Sequence, residues 1–221
     1  MNTLLHLLLN RPNWIFDLDG VVVDTSDLHA RAFKETFSSV GIEFNDYDSI
    51  SGMSTYTAVT TVLSKQKKDY PDALVEDLVN NKQALSLKLV SSGFGVELLP
   101  FVDVVLTKIN EIGKSVALVS SASKERVKLI FELLRIEKFF RYVVTADDVK
   151  NGKPDPEPFN AAKAMIGDQN INNYLVFEDS RSGIVSATAA QMKVIGVSQE
   201  SRELPGSDYT ISSFQEILGV L

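Results

Sequence analysis

The run Val116-Ala117-Leu118-Val119 is apolar at every position. Successive residues of a strand face opposite sides of a sheet, so a strand of this kind needs cover on both faces, which helices give to a parallel sheet. From Leu98 onward such runs alternate with helical periodicity. The pattern predicts a helix to Glu111, a strand over Ser115–Ser120, a helix over Lys124–Leu134 and a strand over Tyr142–Thr145. A helix over roughly 156–166, a strand over Tyr174–Phe177, a helix over Ser182–Ala190 and a strand over Lys193–Val197 follow, then a short strand and helix after Asp208. This is the signature of an α/β fold built on a doubly wound parallel sheet.

The first hundred residues break the alternation. After the apolar run Trp14-Ile15-Phe16, helical spacing sets in: Leu28, Ala32, Phe33 and Phe37 over 27–40, Val59, Val62 and Leu63 over 54–66, and Leu74, Leu78, Leu85 and Leu89 over 72–91. Residues 23–95 are therefore expected to form a helical cap inserted into a core of residues 1–22 and 96–221, with hinges at Val22–Asp24 and Ser91–Gly95. A chain of 221 residues, 44% hydrophobic, is long enough for one sizeable core and a smaller satellite.

Charge and composition narrow the partners. A net charge of −7, with Lys65-Gln66-Lys67-Lys68 as the longest basic run, argues against nucleic acid. The absence of cysteine excludes disulfides and thiol catalysis and fits a cytoplasmic setting. Leu4-Leu5-His6-Leu7-Leu8-Leu9 is too short to span a bilayer and has neither the basic start nor the cleavage site of a signal peptide. It is expected to pack on the body, with no membrane partner, in a monomer or weak homodimer.

The chemistry is carried by the ends of the strands. Asp17 and Asp19, two residues apart, are expected to lean to one side where the first strand ends, and Gly20 lets the backbone turn away. Two carboxylates so close repel unless a cation or a shared proton relieves them. With no cysteine and only His6 and His29, the oxygen donors suit Mg²⁺ better than Zn²⁺. The second strand runs into Ser120-Ser121-Ala122-Ser123, whose hydroxyls and helix-start amides can receive an anion, although Ser123 also suits a plain helix cap. After the third strand, Gly152-Lys153-Pro154 holds an ammonium at the same edge, and the fourth ends in Glu178-Asp179. Carboxylates, a cation and a lysine at neighbouring strand ends are suited to holding a phosphoryl group in line with a nucleophile.

These residues, as Asp17-Leu18-Asp19-Gly20-Val21, Ser121, Lys153 and Glu178-Asp179 in that order, resemble the motifs of the haloacid dehalogenase superfamily over residues 13 to 221. The resemblance implies a Rossmann-like core, Asp17 as nucleophile and Asp19 as general acid/base, with Ser121 and Lys153 on the phosphoryl oxygens. It also implies Mg²⁺ on Asp17, the backbone oxygen of Asp19 and Asp179, with Glu178 nearby. An aspartate at position 19 favours phosphate esters within that superfamily. The inserted helices are similar to the small cap of the subgroup containing β-phosphoglucomutase, phosphoglycolate phosphatase and sugar-phosphate phosphatases. Gly52 belongs to the substrate-facing cap on the same resemblance, as Ser120 and Ala122 belong to the phosphate loop. His29 falls where the mutase has a histidine near its catalytic acid, and Lys82 near an expected cap lysine, although its position also reads as a solvated helix face. The mutase's cap arginine is replaced by Thr55 or Tyr56. The expectation is a Mg²⁺-dependent phosphatase of a small phosphorylated metabolite, with a mutase as the alternative and a non-enzymatic phosphoacceptor or binding module as the remote one.

Overall fold

The computed structural model describes residues 3–50, 53–66, 70–199 and 202–221. In chain order the elements are α1 (Thr3–Leu9), β1 (Asn13–Phe16), β2 (Val23–Asp24), α2 (Ser26–Ser38), α3 (Thr55–Ser64), α4 (Asp72–Ser91), β3 (Glu97–Leu98) and α5 (Val102–Glu111). They continue as β4 (Ser115–Val119), α6 (Lys124–Leu134), β5 (Tyr142–Val144), α7 (Glu157–Ile166), β6 (Tyr174–Glu178), α8 (Arg181–Ala189), β7 (Lys193–Val197), β8 (Tyr209–Ile211) and α9 (Gln215–Leu218).

The chain divides into two compact units, Met1–Asp24 with Glu97–Leu221, and Thr25–Val96. In the first, the described residues form a six-stranded sheet in the order β5-β4-β1-β6-β7-β8, parallel throughout. Strand β1 is buried on both faces, as the apolar pattern requires. On one face Phe16 stacks on Phe177 at 4.5 Å, beside Trp14 and Phe214. On the other, Ile15, Ala117, Val119 and Val176 pack with Phe159 and Ala162 of α7 and Ile184 and Ala187 of α8. The chain builds outward from β1 to β4 and β5, then returns to its other side for β6, β7 and β8. The order reverses at β1, and the crevice outside its carboxyl end is where ligands bind in such sheets.

Helix α1 buries Leu4, Leu7 and Leu8. Its last carbonyls are satisfied by cations: Arg11 Nη1 donates to Leu7 O at 3.2 Å and Lys114 Nζ to Leu8 O at 3.0 Å. The second unit packs Phe33 and Phe37 of α2 with Val59 and Val62 of α3, and Val75 and Leu78 of α4.

Two boundaries differ from the sequence expectation. The units part after Asp24 and Val96 because Val23 and Asp24 pair antiparallel with Leu98 and Glu97. That pairing also delays the next helix, which begins at Val102 rather than Leu98 because Phe101 adopts a left-handed φ of 68°.

Candidate active site

The site is assembled at the carboxyl ends of β1, β4 and β6. Phe16 lies in register with both Leu118 and Phe177, so Asp17 is the first residue past the paired strand. Its amide still donates to Phe177 O at 3.0 Å. Thereafter Leu18 O accepts from Val22 N and Val23 N at 2.9 Å each, and Gly20 N donates to Val23 O at 2.7 Å. Asp19 is therefore placed by this tight loop and not, as its spacing suggests, by strand alternation. The carboxylate of Asp19 accepts from Arg126 Nη2 at 2.5 Å.

Lys153 joins the strands. Its ammonium donates to Asp17 Oδ1 at 2.5 Å, to Val119 O at 3.0 Å and to Glu178 Oε1. The lysine side chain is 4% exposed and that of Glu178 0%. The loop carrying Lys153 is held by Glu157, whose carboxylate accepts from Lys150 N at 2.9 Å and Asn151 N at 3.0 Å. Burial pushes the Lys153 ammonium down, yet the Asp17 and Glu178 carboxylates outweigh it and leave the group above its ordinary value.

Carboxylates outnumber the lysine. Asp17, Glu178 and Asp179 each offer one oxygen, and these oxygens lie within 4.8 Å of one another. Burial raises the Asp17 carboxyl; Lys153 pulls it back, Glu178 and Asp19 push it further, and it comes to about 7. Asp179 is raised well above the ordinary range by burial and then by Asp17 and Glu178. An oxygen-only cluster with excess negative charge fits a hard divalent cation, which would remove both the repulsion and the reason for those protons.

The turn over Ser120–Ser123 is partly committed to itself. Ser120 is buried, and its hydroxyl accepts from Ala122 N at 3.1 Å, so that hydroxyl and that amide close the turn. Ala122 O receives Ala146 N at 3.0 Å, and Lys124 N is taken by Asp147 Oδ2 at 2.8 Å. Ser121 stands exposed in the middle of the loop, and Ser123 caps α6 through Arg126 N. The sequence reading passed over Glu157, Asp147 and Arg126. The cation in the first turn of α6, where the helix dipole disfavours it, was the available signal for Arg126.

In the second unit Lys82 is not on a solvated face. It is buried, its Nζ lies 3.0 Å from His29 Nδ1 and 4.7 Å from the centre of the Phe33 ring. Its four-carbon stem runs among the residues between α2 and α4, which periodicity alone assigns to the helix exterior. Gly52 lies outside the described residues. No helix among the described residues is long and apolar enough to cross a membrane.

The family profile described as haloacid dehalogenase-like hydrolase matches residues 14–197. The chain is 30% identical to fructose-1-phosphate phosphatase YqaB of Escherichia coli over 83% of this chain and 94% of that one. It is 28% identical to the beta-phosphoglucomutase of Bacillus subtilis over 92% and 90%. Among solved structures, CbbY from Rhodobacter sphaeroides in complex with phosphate superimposes with a TM-score of 0.80 at 22% identity, covering 96% of this chain and 99% of that one. With an aspartate, a lysine and an acidic cluster meeting where the sheet order reverses, and a profile match over most of its length, the chain belongs to the haloacid dehalogenase-like hydrolase family.

Proposed function

We propose that this enzyme is a Mg²⁺-dependent phosphatase of small phosphorylated sugars that works through a phospho-Asp17 intermediate. The observation that carries this reading is the contact of Lys153 with Asp17 beside the Asp17, Glu178 and Asp179 cluster. Lys153 fixes one oxygen of Asp17 and supplies a positive charge near the incoming phosphoryl oxygens. Asp17 attacks phosphorus, the bond from phosphorus to the ester oxygen breaks, and Asp19 gives that oxygen its proton. Water then attacks phosphorus, its proton passes to Asp19, and the bond to Asp17 breaks to release inorganic phosphate. Mg²⁺ held by Asp17, Asp179 and the Asp19 carbonyl, with Glu178 beside it, would neutralise charge on the transferring group. Ser121 is assigned to the phosphoryl oxygens.

Support for sugar phosphates comes from the relatives, which include one named for fructose 1-phosphate and another, from Thermotoga maritima, named a phosphorylated carbohydrates phosphatase. The same proposal makes residues 25–96 a specificity cap and places the enzyme, as a monomer or weak homodimer, among cytoplasmic metabolites. A mutase is the second reading, favoured by the contact of Lys82 with His29 and by the relative named beta-phosphoglucomutase. Thr55 and Tyr56 offer no charge for a second phosphate, which favours hydrolysis.

The test is phosphate release from a panel of sugar phosphates, phosphoglycolate and nucleotides, with and without Mg²⁺, using Asp17→Asn as the blank. Metal-dependent release lost in the variant is expected. Turnover surviving Asp17→Asn would overturn the mechanism, and isomerised glucose 1-phosphate without released phosphate would favour the mutase.

A further inference from the structure

We propose that Arg126 is the positioning residue for Asp19, orienting the carboxylate that serves the leaving group; the inference rests on the phosphatase reading above. Arg126 is the third residue of α6, directly after the phosphate loop. Its backbone N–H donates to Ser123 Oγ, the cap of that helix, while its guanidinium pairs with Asp19 Oδ1 at 2.5 Å. One residue thus ties the turn at Ser123 to the acid Asp19.

The placement is not explained by helix stability. Amide N–H groups point out of the first turn of α6, and a cation there opposes the positive end of the helix dipole. The acidic Glu125 beside it is the residue type that such a turn favours. Nor is it a solvated surface pair, since the Arg126 side chain is 12% exposed and that of Asp19 27%. A guanidinium fixes direction as well as charge, because its planar fork approaches a carboxylate along defined lines. With Oδ1 held by the guanidinium, Arg126 sets the direction in which the Asp19 carboxylate faces the ester.

Asp19 serves two steps, and they respond differently to its displacement. When the ester bond breaks, the P–O bond to the leaving oxygen is lost, the P–O bond to Asp17 forms and the proton moves from Asp19 to the leaving oxygen. A weakly basic leaving group departs without that proton, whereas a strongly basic one requires it. Hydrolysis of phospho-Asp17 needs Asp19 as base whatever the leaving group was. Loss of Arg126 therefore leaves a leaving-group signature that a merely structural lesion does not.

The test compares Arg126→Met and Arg126→Lys with the unaltered enzyme in Mg²⁺, on p-nitrophenyl phosphate and phenyl phosphate. For Arg126→Met, kcat/KM on phenyl phosphate should fall by about tenfold or more, within the range of general acid catalysis, while kcat/KM on p-nitrophenyl phosphate changes by less than about threefold. A burst of p-nitrophenolate, of roughly one equivalent per enzyme, should precede slow turnover, and Arg126→Lys should recover part of the loss. Equal losses on both esters, or no loss, in a variant whose circular dichroism and Tm match the unaltered enzyme would overturn the proposal. A misfolded Arg126→Met passes the same decision to Arg126→Lys, where a selective phenyl phosphate defect supports the role and its absence overturns it. If the unaltered enzyme hydrolyses neither ester, or Asp17→Asn hydrolyses both, the phosphatase reading itself has failed, which is a different result.

Discussion

Gly20 and the Asp179 carboxylate claim the same space: a Cβ placed on Gly20 would lie 2.0 Å from Asp179 Oδ2. Gly20 also has a φ of 79°, a conformation that side chains rarely adopt. Gly20→Ala should therefore push Asp179 out of the cluster and strain the loop that carries Asp19. The expected result is a loss of kcat/KM of about 10²-fold or more with stability lowered by about 1–3 kcal/mol. Steady-state kinetics with a urea melt would check both, and unimpaired Mg²⁺ activation would contradict it.

Removing the central cation should be costly. In Lys153→Met the buried Glu178 and Asp17 lose their shared partner, and breaking a buried pair on one side costs about 3–5 kcal/mol. Denaturant melts should show the largest loss at alkaline pH, where Asp17 must ionise, and a smaller one near pH 5, where Asp17 is protonated. A melt displaced equally at both pH values would contradict this account.

The raised Asp17 and Asp179 carboxyls fix the sign of a pH effect on the metal-free protein. Between the ordinary carboxylate range and about 7 the folded state holds protons on Asp17 that the unfolded chain has released. Stability then falls as pH rises through that window. Tm measured with a chelator should accordingly drop from about pH 5.5 to about pH 8, and Asp179→Asn should flatten the drop. Excess Mg²⁺ should raise Tm more at the higher pH, because the cation competes with fewer protons there.

Lys82 and Lys88 share α4 but not an environment: the first is buried against His29 and Phe33, the second exposed. Brief treatment with an amine-reactive reagent, followed by peptide mass spectrometry, should modify Lys88 well before Lys82. Equal rates would show that the Lys82 ammonium is not sheltered by its own helices.

Strand and helix placement was legible because burial on both faces leaves runs such as Val116-Ala117-Leu118-Val119 with no polar residue to blur them. The acids were legible for a related reason: Asp17 and Asp179 end apolar strands, where charge has no structural motive. Asp19 was placed by the wrong cause, since the carbonyl of Leu18 gathers the following amides into a turn that alternation does not foresee. The solvated-face reading of Lys82 fails because helical periodicity reports which residues are apolar, while a lysine enters a packed interface by burying its stem. Arg126 works through a partner 107 residues away and leaves as its local trace a cation in the first turn of α6, while Glu157 works through backbone amides six and seven residues before it.

The antiparallel pairing of Asp24 with Glu97 means that the segment from Thr25 to Val96 leaves and rejoins the sheet-bearing unit at facing positions. Facing residues of an antiparallel pair have Cα atoms only about 4.5–5.5 Å apart, a gap that a short turn can close. Any sequence whose ends meet at that spacing can therefore be spliced between them without redirecting the strands that carry the acids. The ribbon works as a socket, whose insert could be replaced while the residues at the ends of the sheet keep their places.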